Sequence, residues 1–143
     1  VVSDNGMNDK GIAENPTQAT HHRTLGQAFL SSGQEQQALR ELRIAVSLDP
    51  DSALSRRSLG NALFEAQQYS QAEAEFRHAL RLQPSAENHY SIAACLISLG
   101  QYAEAAAELD AAQRMAPDEP LYRARKEELL KLVRPTSRKS QDQ

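Results

Sequence analysis

Four histidines and one cysteine are the side chains best suited to chemistry in this 143-residue chain. His21 and His22 are adjacent, while His78 and His89 come much later. A metal site needs ligands on one face of an element, commonly i and i+4 on a helix, with a carboxylate behind the imidazole. Neighbouring residues on a helix point about 100° apart, and no carboxylate stands beside the pair in sequence. The histidines are therefore expected on the surface or in packing contacts. Cys95 lies in the apolar run Ala93-Ala94-Cys95-Leu96 with no flanking base, and reads as a buried, inert thiol. A single cysteine excludes an intramolecular disulfide framework and a cysteine-based zinc site. Glycines at 6, 11, 26, 33, 60 and 100 never take the spacing of a phosphate-binding loop. No Ser/His/Asp elbow or helix-borne carboxylate pair in an apolar setting is present. The expectation is a non-enzyme with no cofactor and no metal.

Composition narrows the field further. Apolar residues make up 40% of the chain and the net charge is only -3, the balance of a folded domain and not of a disordered one. No basic field calls for nucleic acid. Uninterrupted apolar stretches fall far short of the roughly 20 residues a bilayer-spanning helix needs, so no direct membrane insertion is expected.

What must position any functional surface is a repeat. LDP at 48–50, LQP at 82–84 and MAP at 115–117 follow one another at steps of 34 and 33 residues. Counting back from each proline aligns Leu25-Gly26, Leu59-Gly60 and Ile92-Ala93, then Phe29, Leu63 and Leu96. Ala38, Ala72 and Ala105 share a column, as do Leu42, Phe76 and Leu109, and then Ala45, Ala79 and Ala112. Apolar residues recur at i, i+3, i+4 and i+7 on two arms per repeat, which predicts paired amphipathic helices. Small residues at 26, 60 and 93, facing the alanine column, let the two arms cross closely. Ser32-Gly33, Gln67-Gln68 and Gly100-Gln101 mark the turns between arms. Asp51 and Ser85, after their prolines, are the expected starts of the next helices. One residue is missing between Pro84 and Ala93, which predicts a shortened connection there.

These columns resemble the tetratricopeptide repeat family, whose signature is a helix–turn–helix of about 34 residues with L-G, A-x3-F and a late proline. The resemblance covers about residues 18–117. The aromatic expected three residues before L-G is His22, Arg56 and His89 here, so that contact is polar. The implied fold is all-α: a right-handed α-solenoid of three repeats (about 18–50, 51–84 and 85–117) and a seventh, capping helix at about 118–134. For the cap, Asp118 is the expected N-cap, Pro120 the first turn, and Tyr122, Leu129, Leu130 and Val133 the apolar stripe. Residues 1–17 read as a polar linker or N-terminal extension, and 135–143 as a polar tail. The first residue is not Met, which suggests a processed chain or a piece of a longer one.

In this family the first helix of each repeat lines a concave groove that takes peptides or helices. The columns expected to point inward are Arg23/Arg57/Tyr90, Gln27/Asn61/Ala94 and Leu30/Phe64/Ile97, with Leu54 and Leu121 towards the rim. The groove is thus basic and amide-bearing at one end and apolar at the other. The family's two-carboxylate clamp for chaperone C-termini is broken: Ser58 replaces its middle asparagine, and Glu87 and Ser91 stand where its basic pair belongs. Starting one repeat later, Arg57, Asn61 and Arg125 fit, with Ser91 and Leu121 as misses. The expected function is a protein-interaction scaffold or adaptor, monomeric, binding a peptide that carries an acidic group. An accessory segment of a larger enzyme or membrane assembly, a secretion-type chaperone, and binding through outer-face residues Gln71, Glu75 and Glu108 are the competing readings. The expected compartment is the cytoplasm, with a periplasmic or membrane-associated setting open for a longer chain.

Overall fold

The computed structural model describes the backbone of residues 2–133 and the side chains of residues 16–133. Seven helices follow in order: α1 (Val2–Ser31), α2 (Glu35–Leu48), α3 (Ala53–Glu65), α4 (Tyr69–Leu82), α5 (Ala86–Ser98), α6 (Tyr102–Met115) and α7 (Pro120–Val133). Among the described residues there is no strand. Helices pair as α1/α2, α3/α4 and α5/α6, and each pair leans on the next through α2/α3, α4/α5 and α6/α7. The result is the expected α-solenoid. The expected polar tail, residues 135–143, lies outside the described residues.

The alanine columns explain how close the pairing is. Ala38, Ala72 and Ala105 are fully buried, as are Ala45, Ala79 and Ala112. Beside them lie Leu42, Phe76 and Leu109, the largest residues of the same seam. Gly60 completes the fit: a Cβ on it would sit 2.7 Å from the Phe76 ring. The turns between arms pass through the left-handed region at Gly33 (φ 75°), Gln67 (φ 62°) and Gly100 (φ 77°). Gly adopts that conformation at no steric cost, whereas Gln67 must bear it.

Several expected boundaries shift. Ser52, not Asp51, caps α3, its hydroxyl accepting from the Ser55 N–H at 3.1 Å, and Ser85 caps α5 in the same way through Asn88. The α4–α5 connection is one residue shorter than α2–α3, as the missing residue requires. α7 begins at Pro120, where an absent N–H costs nothing. Glu119 rather than Asp118 serves its first turn, accepting from the Leu121 N–H at 3.1 Å. On α7, Tyr122 and Leu129 are buried but Val133 is exposed. The segment read as a linker is helical in backbone from residue 2, through Pro16.

Candidate functional site

The polar column that replaces the family aromatic forms a ladder. His22 Nδ1 meets Glu41 Oε2 at 2.6 Å, Arg56 Nη1 meets Glu75 Oε2 at 3.1 Å, and His89 Nδ1 meets Glu108 Oε2 at 2.6 Å. Each pair spans 19 residues and ties the first helix of a repeat to its second. The carboxylate absent beside His22 in sequence is therefore supplied by the fold, as a packing partner. Glu75 and Glu108, expected as outer-face contacts, are half-buried members of this ladder. Glu108 also accepts from Arg77 Nη1 at 3.2 Å, and Arg77 Nε reaches Glu73 at 2.8 Å. Burial alone would lower the Arg77 value, but Glu73 and Glu108 outweigh it and hold the guanidinium above its ordinary range.

The groove residues divide into two sets. Phe64, Tyr90, Ala94 and Ile97 come together around one hollow of about 400 Å³, with Ala93, Ser98, Leu109 and Arg125 completing its wall. Helices α3, α5 and α7 converge there, with α6 behind. Two aromatic contacts brace it. Phe64 meets Tyr69 edge-on at 5.2 Å between centroids, and Tyr90 meets Tyr122 at 5.6 Å. Burial, then Glu87 and Glu119, raises the Tyr122 phenol above its ordinary value. Arg125 stands at the lip, bonded to Glu128 at 3.1 Å; Tyr90 first and then Glu128 favour its charged form.

The polar residues are spread out instead. Leu54 and Arg57 border a separate hollow of about 120 Å³ with Ala53, Gln83, Ser85, Glu87 and Asn88. Gln27 is tied to α3 through Nε2, which donates to Ser58 Oγ at 3.1 Å. Asn61 is exposed, Arg23 half-buried, and Leu30 partly buried against the core. Among the described residues, neither Arg23 nor Arg57 is in a salt bridge. The expected groove set omits Arg125. Its spacing three residues after Tyr122, which faces Tyr90, is the signal that places it on the same side.

Cys95 is fully buried, and desolvation, with Glu73 adding to it, pushes its thiol up to about 12. Among the described residues, no group of three or more His, Cys, Asp or Glu could hold a metal, and no helix is long and apolar enough to cross a membrane.

Stacked helical hairpins around a shared inner face define an α-solenoid of the peptide-repeat kind. The family model for the tetratricopeptide repeat matches residues 23–87 and again 57–120, and the chain belongs to that family. Among solved structures, the first repeat domain of Spaghetti (RPAP3) bound to the HSP90 peptide SRMEEVD superposes with a TM-score of 0.78 at 15% identity, covering 82% of this chain and 94% of that one. The Arabidopsis OM64 repeat domain gives 0.77 at 21% identity, covering 82% and 98%. A chain of the CopN–Scc3 complex gives 0.68 at 25% identity, covering 80% and 68%. No curated protein matches the chain.

Proposed function

We propose that the domain is a non-catalytic protein-interaction module that seats a peptide or helix on its inner face. An apolar side chain fills the hollow of Phe64, Tyr90, Ala94 and Ile97. An acidic side chain or terminal carboxylate lies towards Arg23, Arg57 and Asn61, held by charge-assisted hydrogen bonds. One observation carries this reading: an open apolar hollow with braced aromatic walls on α3, α5 and α7 lies in an array whose Arg57 on α3 and Arg23 on α1 are, among the described residues, in no salt bridge. Solved relatives by fold include one bound to the peptide SRMEEVD and one in a two-protein complex, which supports a protein partner. Because a flexible peptide loses conformational freedom on docking, affinity should be micromolar, about -8 kcal/mol.

Selection from a random peptide-display library tests the chemistry directly. The expected consensus pairs an acidic residue or free C-terminus with a large apolar residue. Enriched peptides without acidic groups, or ones whose binding survives Ile97→Glu, would contradict the assignment.

A further inference from the structure

A second hollow, of about 350 Å³, opens between α2 and α4 over α3. Val46, Leu59 and Leu63, all buried, give it an aliphatic lining, and the exposed Arg43, Gln71 and Ala74 stand around it. It shares no lining residue with the hollow of the groove.

The following repeat shows what an arginine at this position takes. Arg77 occupies the column of Arg43, and two carboxylates hold it: Nε donates to Glu73, one turn earlier on α4, at 2.8 Å, and Nη1 to Glu108 on α6 at 3.2 Å. Arg43 has neither. The counterpart of Glu73 is Leu39, buried in the core. The counterpart of Glu108 is Glu75, whose Oε2 accepts from Arg56 at 3.1 Å. Among the described residues, Arg43 is in no salt bridge, and neither is Arg40. Both are exposed, and three residues apart on α2 they share a face. We infer that this hollow docks an acidic segment of another protein. An aliphatic side chain enters over Leu59 and Leu63, a carboxylate beside it takes on Arg43 the place that Glu108 takes on Arg77, and Arg40 meets a second carboxylate. Aliphatic walls suit a side chain and not a phosphate, and a chain of net charge -3 offers nucleic acid no basic field. The site is separate from the groove and stands without it.

The probe is the capped pentapeptide AELEA, titrated into the isotopically labelled chain. Amide shifts should appear at Arg43, Val46, Leu59, Gln71 and Ala74, whether or not groove residues also move. Arg43→Glu, at an exposed position and checked for unchanged helicity, should weaken this titration by about tenfold or more, since it removes a charge-assisted hydrogen bond. Ala74→Trp, also exposed, should fill the hollow and abolish the shifts. The capped peptides AQLQA and AEAEA should each bind more weakly than AELEA, while Arg23→Glu/Arg57→Glu in the chain leaves the titration intact. Shifts confined to Tyr90, Ala94 and Ile97, none at millimolar peptide, or equal binding of AQLQA would overturn the proposal. So would Arg43-dependent self-association of the chain in sedimentation, which would hand the hollow to a second copy, or Arg43-dependent binding to phosphatidylserine vesicles, which would hand it to a membrane.

Discussion

In the seams between paired helices, Ala38, Ala72 and Ala105 stand in one column and are all fully buried. On the inner face, Arg23, Arg57 and Tyr90 stand in one column, two cations and an aromatic that differ in exposure. The alanines stand on α2, α4 and α6, and the inner-face column on their partners α1, α3 and α5. A seam must reproduce one interhelical distance in every repeat, so its residues recur. The inner face has no one interhelical distance to reproduce, so its positions differ from repeat to repeat, and the differences build a polar half and an apolar half. Recurrence marks what folds the chain, and departure from recurrence marks what the chain presents.

Substitutions separate the two regions by what they change. Phe76→Ala, in the central seam, should cost about 2–5 kcal/mol in a denaturant titration through lost transfer energy and a cavity. A domain of this size is stable by only about 5–15 kcal/mol, so this is a large share. A loss under about 1 kcal/mol, the ordinary surface value, would break the comparison. Gly60→Ala forces a methyl against Phe76 at 2.7 Å, and overpacking of that kind costs roughly 1–3 kcal/mol. Combining it with Phe76→Leu should cost less than the sum, since the clash partner is gone. Additivity would show that the glycine is needed for something else.

Cys95 tests the same seam through pH. Its folded value near 12 lies above the ordinary value near 9.0, so the unfolded chain loses the proton first. Its contribution is full below pH 9 and is lost as pH rises towards 12, by up to about 1.4 kcal/mol per unit. Cys95→Ala should flatten the alkaline fall in stability, and a thiol reagent at pH 8 should leave the folded wild type unmodified. The smallest expected effect is a gain. Gln67→Gly, at φ 62°, relieves a left-handed strain of about 1 kcal/mol and should raise the midpoint slightly. A drop would mean that the Gln67 side chain makes up for its backbone.

The fold was legible because seam residues repeat: aligning the prolines puts Leu59, Leu63, Phe76 and Ala79 in the core, where they are. The ladder was legible only by halves. His22, Arg56 and His89 showed that a polar contact replaces an aromatic one, but Glu41, Glu75 and Glu108 lie 19 residues away and gain meaning only once the hairpins close. Leu25 misleads for a related reason, since its column is apolar in every copy, yet Leu25 is 45% exposed where Leu59 and Ile92 are buried. In the groove, the columns found Phe64, Tyr90, Ala94 and Ile97, which do meet around one hollow. They could not show that Leu54 and Arg57 border a different one, because helix spacing fixes a face and not which neighbours close over it.

The central claim is that the inner face, through its arginines and its apolar hollow, is what this domain presents to a partner. Binding isotherms of a display-selected acidic peptide, measured by fluorescence anisotropy on wild type and on the Arg23→Glu/Arg57→Glu double variant, test it most directly. The double variant should bind at least tenfold more weakly, about 1.4 kcal/mol, with unchanged helicity and melting. The wild-type affinity should also fall as salt rises, because exposed charges are screened beyond about 8 Å at physiological ionic strength. Unchanged affinity in the double variant, with binding lost instead on substituting the exposed outer-face residue Gln71, would contradict the account.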